Sequence, residues 1–86
     1  MGELDLSDKV PPEARWLKVH YEMKPLKEGA ELNARIWSGD IADAVHLKGA
    51  SGDAFLKLGV PQRLWYQRPV TVELKLKLVA YKVVAD

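Results

Sequence analysis

The sequence predicts an all-β fold, a single antiparallel β-sandwich of about seven strands with a jelly-roll-like arrangement. Between Val70 and Ala80 apolar and polar residues alternate, which is the pattern of a strand with one buried face. Gly/Pro turns divide the rest of the chain into short alternating segments at a spacing of about 8–12 residues. The one segment with helical spacing, residues 41–48, is too short to form a stable helix alone.

Length and composition limit the kind of molecule. The chain has 86 residues and no Cys, and its hydrophobic fraction of 48% is typical of a folded soluble protein. We expect residues 1–86 to form one domain. A chain of this size buries only about 60% of its unfolded surface. Without disulfides, its core must suffice alone or be extended by an oligomer.

The first part of the chain reads as four strands separated by turns. The pattern predicts them at residues 3–7, 16–23, 31–38 and about 44–48. Two prolines mark the turn at residues 10–14, and Gly-containing segments mark those at 24–29, 38–40 and 49–53. The inward parity carries Leu4, Leu6, Leu17, Val19, Tyr21, Met23, Leu32, Ala34 and Ile36.

Three more strands are predicted, at residues 54–58, at 62–67 and from Val70 onwards. In the last strand Val70, Leu74, Leu78 and Ala80 belong to the inward parity. From Val79 onwards the other parity also becomes apolar, and it carries Val79, Tyr81 and Val83. A strand end that is apolar on both faces predicts that something covers it.

The aromatic side chains are the most suggestive candidates for function. By parity, Trp16, Trp37, Trp65 and Phe55 all fall on the polar faces of their strands. One interpretation is that loops or long basic side chains cover these rings. Another is a protein–protein or oligomer contact, because Trp, Tyr and Arg are enriched at interface hot spots. A third is sugar stacking. Single-stranded nucleic acid also stacks on aromatic rings, but the net charge of +1 does not favour it.

Other residues give little support for chemistry. His20 and His46 are the two histidines, and a paired metal or catalytic site remains a hypothesis without a supporting spacing. Asp40 and Asp43 have the spacing of a weak calcium motif, for which turn capping is the default interpretation. No Ser lies at a recognisable offset from a His and an acid. We therefore expect no cofactor, no metal and no enzymatic activity.

Two segments resemble a known group of domains. The opening Asp5-Leu-Ser-Asp-Lys-Val-Pro-Pro-Glu-Ala14 and the closing Leu78-Val-Ala-Tyr81 are similar to the ends of small β-sandwich domains in phage and prophage virion proteins. Such domains decorate capsids or cap tails and fibres, usually as symmetric oligomers. The resemblance covers about a quarter of the chain and implies no catalytic residues.

The sequence thus predicts a non-enzymatic structural or assembly module, oligomeric and of the virion accessory type. The expected contact residues are Trp16, Trp37, Trp65, Phe55, Tyr81 and Val83. The alternative is a carbohydrate-binding module that uses the exposed Trp residues, with Asp, Asn33 or Gln67 bonding to the sugar. The N-terminus lacks the apolar run of a signal peptide, and no segment reaches the roughly 20 apolar residues of a membrane span, so we expect cytoplasmic synthesis and no membrane partner.

Overall fold

The alternating segments fold into seven strands within residues 2–83, the part of the chain that the computed structural model describes. All of the strand pairs are antiparallel, and they build two sheets, so the expected all-β class is confirmed. The strands are β1 (Gly2–Asp5), β2 (Ala14–Pro25), β3 (Asn33–Trp37), β4 (Val45–Lys48), β5 (Ser51–Lys57), β6 (Arg63–Gln67) and β7 (Val72–Val83).

The two sheets differ in size and strand length. One has four strands in the order β1-β6-β3-β4, and the other has three in the order β5-β2-β7. Strands β2 and β7 hold 12 residues each and pair along nearly their whole length. At about 3.3 Å per residue such a pair spans about 40 Å, which accounts for most of the 48 Å long axis.

The core lies between the two sheets and is built from the inward parity of each strand. Its largest fully buried side chains come from both sheets and are Leu17, Ile36, Leu47, Leu64, Val19 and Val72. The parity predicted for Leu17, Val19, Tyr21, Met23, Ala34 and Ile36 is confirmed, since all six are buried. Leu4 and Leu32 are only partly buried.

The last strand begins two residues later than the alternation predicts. The N–H of Val72 donates to the carbonyl oxygen of Pro69 at 3.1 Å, which closes a turn over residues 69–72. Val70 therefore lies outside the strand and is 89% exposed, so its predicted inward position is wrong. Proline fixes φ and favours this turn, a constraint that period-two counting does not include.

A β-bulge changes the parity near the end of β7. Val19 lies opposite Leu78, but Lys18 lies opposite Ala80, so Val79 is the extra residue. A bulge leaves one residue unpaired and shifts every later side chain to the other face. Ala80 is therefore exposed rather than inward, which corrects the prediction. Tyr81 lies opposite the buried Leu17 instead of continuing the polar parity.

Other boundaries move by a few residues. Strand β5 begins at Ser51, so the turn predicted over residues 49–53 is shorter. Ile41–Asp43 forms one 3₁₀ turn, and β4 follows at Val45, close to the strand start expected at Ala44. Strand β2 is longer than predicted and β3 is shorter. The first and last residues of these strands are set by pairing with neighbouring strands, and the local alternation of apolar and polar residues does not reveal that pairing.

Candidate interaction surface

Aromatic residues and lysines lie together at one end of the three-stranded sheet. Trp16 of β2 lies between Lys57 of β5 and Lys82 of β7 in the register. Positions directly opposite one another share a face, so these three side chains form a row on the outer face of the sheet. The adjacent row is formed by Phe55, Lys18 and Ala80.

All members of these two rows except Lys57 border a depression of about 330 Å³. Trp16 is 40% exposed, Phe55 64% and Tyr81 49%, and all three line it; we call these three residues the aromatic patch. The Lys18 Nζ lies 5.8 Å from the centroid of the Phe55 ring. This is a cation–π contact, worth about 0.5–1 kcal/mol at an exposed site. The patch is thus an apolar surface whose rings stay accessible.

Three lysines, Lys18, Lys57 and Lys82, lie around the aromatic patch. Within residues 2–83, Lys18, Lys57 and Lys82 form no ion pair. The next row on the same face contains an acidic side chain as well as a basic one. Asp53, His20 and Lys77 lie in register there, across the three strands of the sheet. The aromatic patch therefore combines exposed rings with nearby lysines, while Asp40 and Asp43 border a neighbouring depression with Trp16, Phe55 and Lys57, so charges of both signs lie beside the rings.

The other two tryptophans lie on the opposite sheet. Trp37 of β3 and Trp65 of β6 are register partners, so their side chains lie next to each other on the outer face of the four-stranded sheet. Trp37 is only 5% exposed and Trp65 is half-buried. The expectation of an exposed Trp37 is wrong, because parity identifies a face of the sheet but not what packs over it. The three Trp residues do not form one surface.

The apolar end of β7 is open to solvent. Val79 is 51% exposed, Tyr81 49% and Val83 47%, so no described segment of the chain covers them. The bulge places Tyr81 and Val83 opposite the buried Leu17 and Ala14. They thus have the parity of the core residues but remain accessible at the end of the strand, where Tyr81 borders the same depression as Trp16 and Phe55. That another molecule covers this apolar end of β7 remains a prediction.

The two histidines lie on different sheets, so the hypothesis of a paired histidine site is wrong. The Nδ1 of His20 lies 2.9 Å from Asp53 Oδ1, and its Nε2 lies 3.7 Å from Glu22 Oε1. His46 lies opposite Arg35 on the outer face of the four-stranded sheet. A sandwich separates these outer faces by its core, which no side chain spans.

Asp40 has a structural role. It caps the 3₁₀ turn, and its Oδ1 accepts a 2.9 Å hydrogen bond from the N–H of Ala42. This confirms turn capping as the role of Asp40. Across residues 2–83 there is no cluster of three or more His, Cys, Asp or Glu side chains that could hold a metal ion.

A second depression, of about 370 Å³, was not anticipated from the sequence. It lies on the four-stranded sheet and is lined by Asn33, Ala34, Arg35, His46, Gln67, Arg68 and Pro69. Arg35 donates to the Oε1 of Gln67, its register partner. The outward parity of Arg35 and Gln67 was visible in the sequence, but the pairing of β3 with β6 that joins them was not.

No helix within residues 2–83 is long and apolar enough to cross a membrane. Comparison of the chain with protein families, curated proteins and solved structures gives no match.

Proposed function

We propose that this protein is a non-enzymatic assembly module that acts through protein–protein contacts and forms a homo-oligomer. The observation that carries the proposal is the apolar surface at one end of the three-stranded sheet, where Trp16, Phe55, Val79, Tyr81 and Val83 are each between 40% and 64% exposed. Large aromatic side chains gain most from burial, and exposed apolar patches on small proteins mark interaction sites. The resemblance of the chain ends to phage and prophage virion domains supports an accessory role in a virion.

A carbohydrate-binding module is less well supported. That function needs aromatic rings and amide or carboxylate groups on one surface. Trp16 and Phe55 border a further depression together with Asp40 and Asp43, but Asn33 and Gln67 border the depression on the other sheet, so the predicted sugar contacts are divided between two surfaces. Trp37 is buried and Trp65 is half-buried. Loss of glycan binding on Trp16→Ala would favour this alternative over an assembly role.

The proposal is tested by sedimentation equilibrium up to high micromolar concentration. We expect the wild type to associate, and Phe55→Ser with Tyr81→Ser to weaken that association at least about tenfold, as expected for interface residues that each contribute more than 1 kcal/mol. The matched control is Leu26→Ser, because Leu26 is 62% exposed and lies outside the patch. A wild type that stays monomeric throughout this range contradicts the proposal.

A further inference from the structure

Two strands of the sandwich have open edges on the same side of the molecule. Strand β1 is terminal in the four-stranded sheet and β7 is terminal in the three-stranded sheet. Leu4 and Leu6 from the β1 side and Leu76 and Leu78 from β7 line one groove of about 120 Å³ between the sheets. Each of these leucines except Leu6 is only partly buried. The groove marks a side of the core that the chain leaves incompletely covered.

The two edge strands run in the same direction. Gly2, at the start of β1, borders a depression with Val70, which precedes β7. Leu4 and Leu6, further along the chain, border the groove with Leu76 and Leu78. Because later residues of one strand meet later residues of the other, β1 and β7 are parallel, and Leu4 and Leu6 can be aligned with Leu76 and Leu78 along the groove.

The sequences of the two edges are complementary in this alignment. Residues 3–6 read Glu-Leu-Asp-Leu and residues 75–78 read Lys-Leu-Lys-Leu. Glu3 and Asp5 are exposed, as are Lys75 and Lys77. Within residues 2–83 neither lysine forms an ion pair, while Glu3 pairs with Arg63. Paired in parallel, the strands would set each acid opposite a lysine and each leucine opposite a leucine.

The backbone groups left free on the two edges also match. The N–H of Leu6 donates to the carbonyl of Gln62 in the direction of β6, so by alternation Glu3 and Asp5 direct their N–H and C=O groups to the open side. The N–H of Leu26 donates to the carbonyl of Thr71, so by the same alternation Leu74, Leu76 and Leu78 of β7 direct their backbone groups to the open side. In a parallel ladder Glu3 would bond to Leu74 and Leu76, the neighbours of Lys75.

The chain does not make this pairing within itself, because β1 and β7 belong to different sheets and are not paired. We infer that a second copy of this chain docks on the open side, with β1 of each copy adding in parallel to β7 of the other. A twofold axis parallel to the strands generates both pairings in one self-complementary contact. Each four-stranded sheet then continues into the partner's three-stranded sheet, and both open edges are removed. The inference rests on the proposed function, since it adds a second contact between the copies of a homo-oligomer, separate from the aromatic patch.

Single-cysteine variants test the pairing directly, because the chain contains no Cys. Glu3→Cys and Lys75→Cys are mixed in equal amounts and oxidised. Neighbouring strands are about 4.8 Å apart, within the range that a disulfide bridges. We expect a disulfide between the two variants, formed at least about tenfold more than between Glu3→Cys and Lys57→Cys, whose cysteine lies on β5 at the other edge of the sheet. Equal yields would overturn the inference, and so would an intrachain disulfide in a monomeric Glu3→Cys/Lys75→Cys double variant.

Charge reversal provides a second test that does not depend on oxidation. One variant carries Lys75→Glu and Lys77→Glu, and the other carries Glu3→Lys and Asp5→Lys. Each variant opposes like charges in its own dimer, but the mixed dimer opposes unlike charges at both pairings. We expect sedimentation to show at least about tenfold weaker self-association of each variant and recovery on mixing. If the wild type associates but mixing recovers nothing, this pairing is wrong, and the proposed function still stands through another contact.

Discussion

The hydroxyl of Tyr21 donates a 2.8 Å hydrogen bond to the backbone carbonyl of Lys48, and this bond joins the two sheets of the sandwich. Tyr21 lies in the centre of β2 and is 8% exposed. Its register partner on β5 is Gly52, where an added Cβ would lie 2.7 Å from the Tyr21 hydroxyl oxygen. The absence of a side chain at Gly52 leaves the space that the Tyr21 ring occupies.

We therefore expect Gly52→Ala to destabilise the fold by about 1–3 kcal/mol, because the new methyl group displaces a buried ring. Tyr21→Phe keeps the ring but removes the hydrogen bond, and should cost about 1 kcal/mol. Urea denaturation measures both. Ser51→Ala, at the exposed neighbouring position of β5, is the control. A Gly52→Ala protein as stable as that control would show that the ring has room to move.

The buried hydroxyl of Ser38, directly after β3, joins this strand end to Val60 and to Arg63, the first residue of β6. Its Oγ donates to the Arg63 carbonyl at 2.6 Å and accepts from the N–H of Val60 at 3.1 Å. Ser38→Ala leaves these groups without their partner, which costs about 1–3 kcal/mol. Thermal and urea unfolding would measure the loss, with exposed Ser51→Ala for comparison. Unchanged stability would mean that water replaces the hydroxyl.

The ion pair between Glu3 and Arg63 connects β1 to β6 at the surface. Both side chains are close to half exposed, 43% and 49% respectively. Solvent screens such a pair, so a double-mutant cycle with Glu3→Gln and Arg63→Gln should give a coupling of about 0.2–1 kcal/mol that decreases with salt. A larger, salt-independent coupling would indicate that the pair is shielded, as an assembled β1 edge would make it.

Asp5 makes the stability of the fold depend on pH in the acidic range. The Ser7 N–H donates to its Oδ1 at 2.9 Å and, with the Ser7 side chain and the Arg63 charge, lowers the pKa of Asp5 below its usual value of 3.8. A lowered pKa in the folded state means that the stabilisation is present above the usual value and is lost as the pH falls through the folded pKa. NMR titration should give a pKa below 3.8 for Asp5. A value at or above it would mean that the Ser7 bond is absent in solution.

The three tryptophans should respond differently to a neutral quencher such as acrylamide. Trp16 is 40% exposed and Trp37 is 5% exposed. At low protein concentration, Trp16→Phe should remove the largest share of quenchable fluorescence, while Trp37→Phe should leave the quenching of the remaining rings unchanged. Quenching of Trp16 that decreases as concentration rises would report coverage of the aromatic patch by a partner. A Trp16 that resists quenching at every concentration would contradict its exposure.

The fold class was predictable because burial follows local alternation. Leu17, Val19 and Ile36 are buried as their parity requires. Errors arose where a local constraint interrupts the alternation: Pro69 delays β7, and the bulge at Val79 reverses the parity of Ala80. The exposure of Trp37 was mispredicted because alternation places its side chain on the outer face of the sheet but does not report which segments lie over that face; Trp37 is 5% exposed.

By itself the sequence determined that the chain is a set of short strands with one apolar face each, because side-chain alternation is a property of a few consecutive residues. It also contained the matching patterns of residues 3–6 and 75–78, which become meaningful only through position. The tertiary structure decided that β1 and β7 lie at open edges on the same side, that Trp16, Phe55 and Tyr81 share a surface, and that His20 and His46 do not. These relationships depend on which strands pair, and the paired strands are far apart in the sequence. Strands pair through backbone hydrogen bonds, which every residue type except proline can form, so residue types alone do not identify the partner strand.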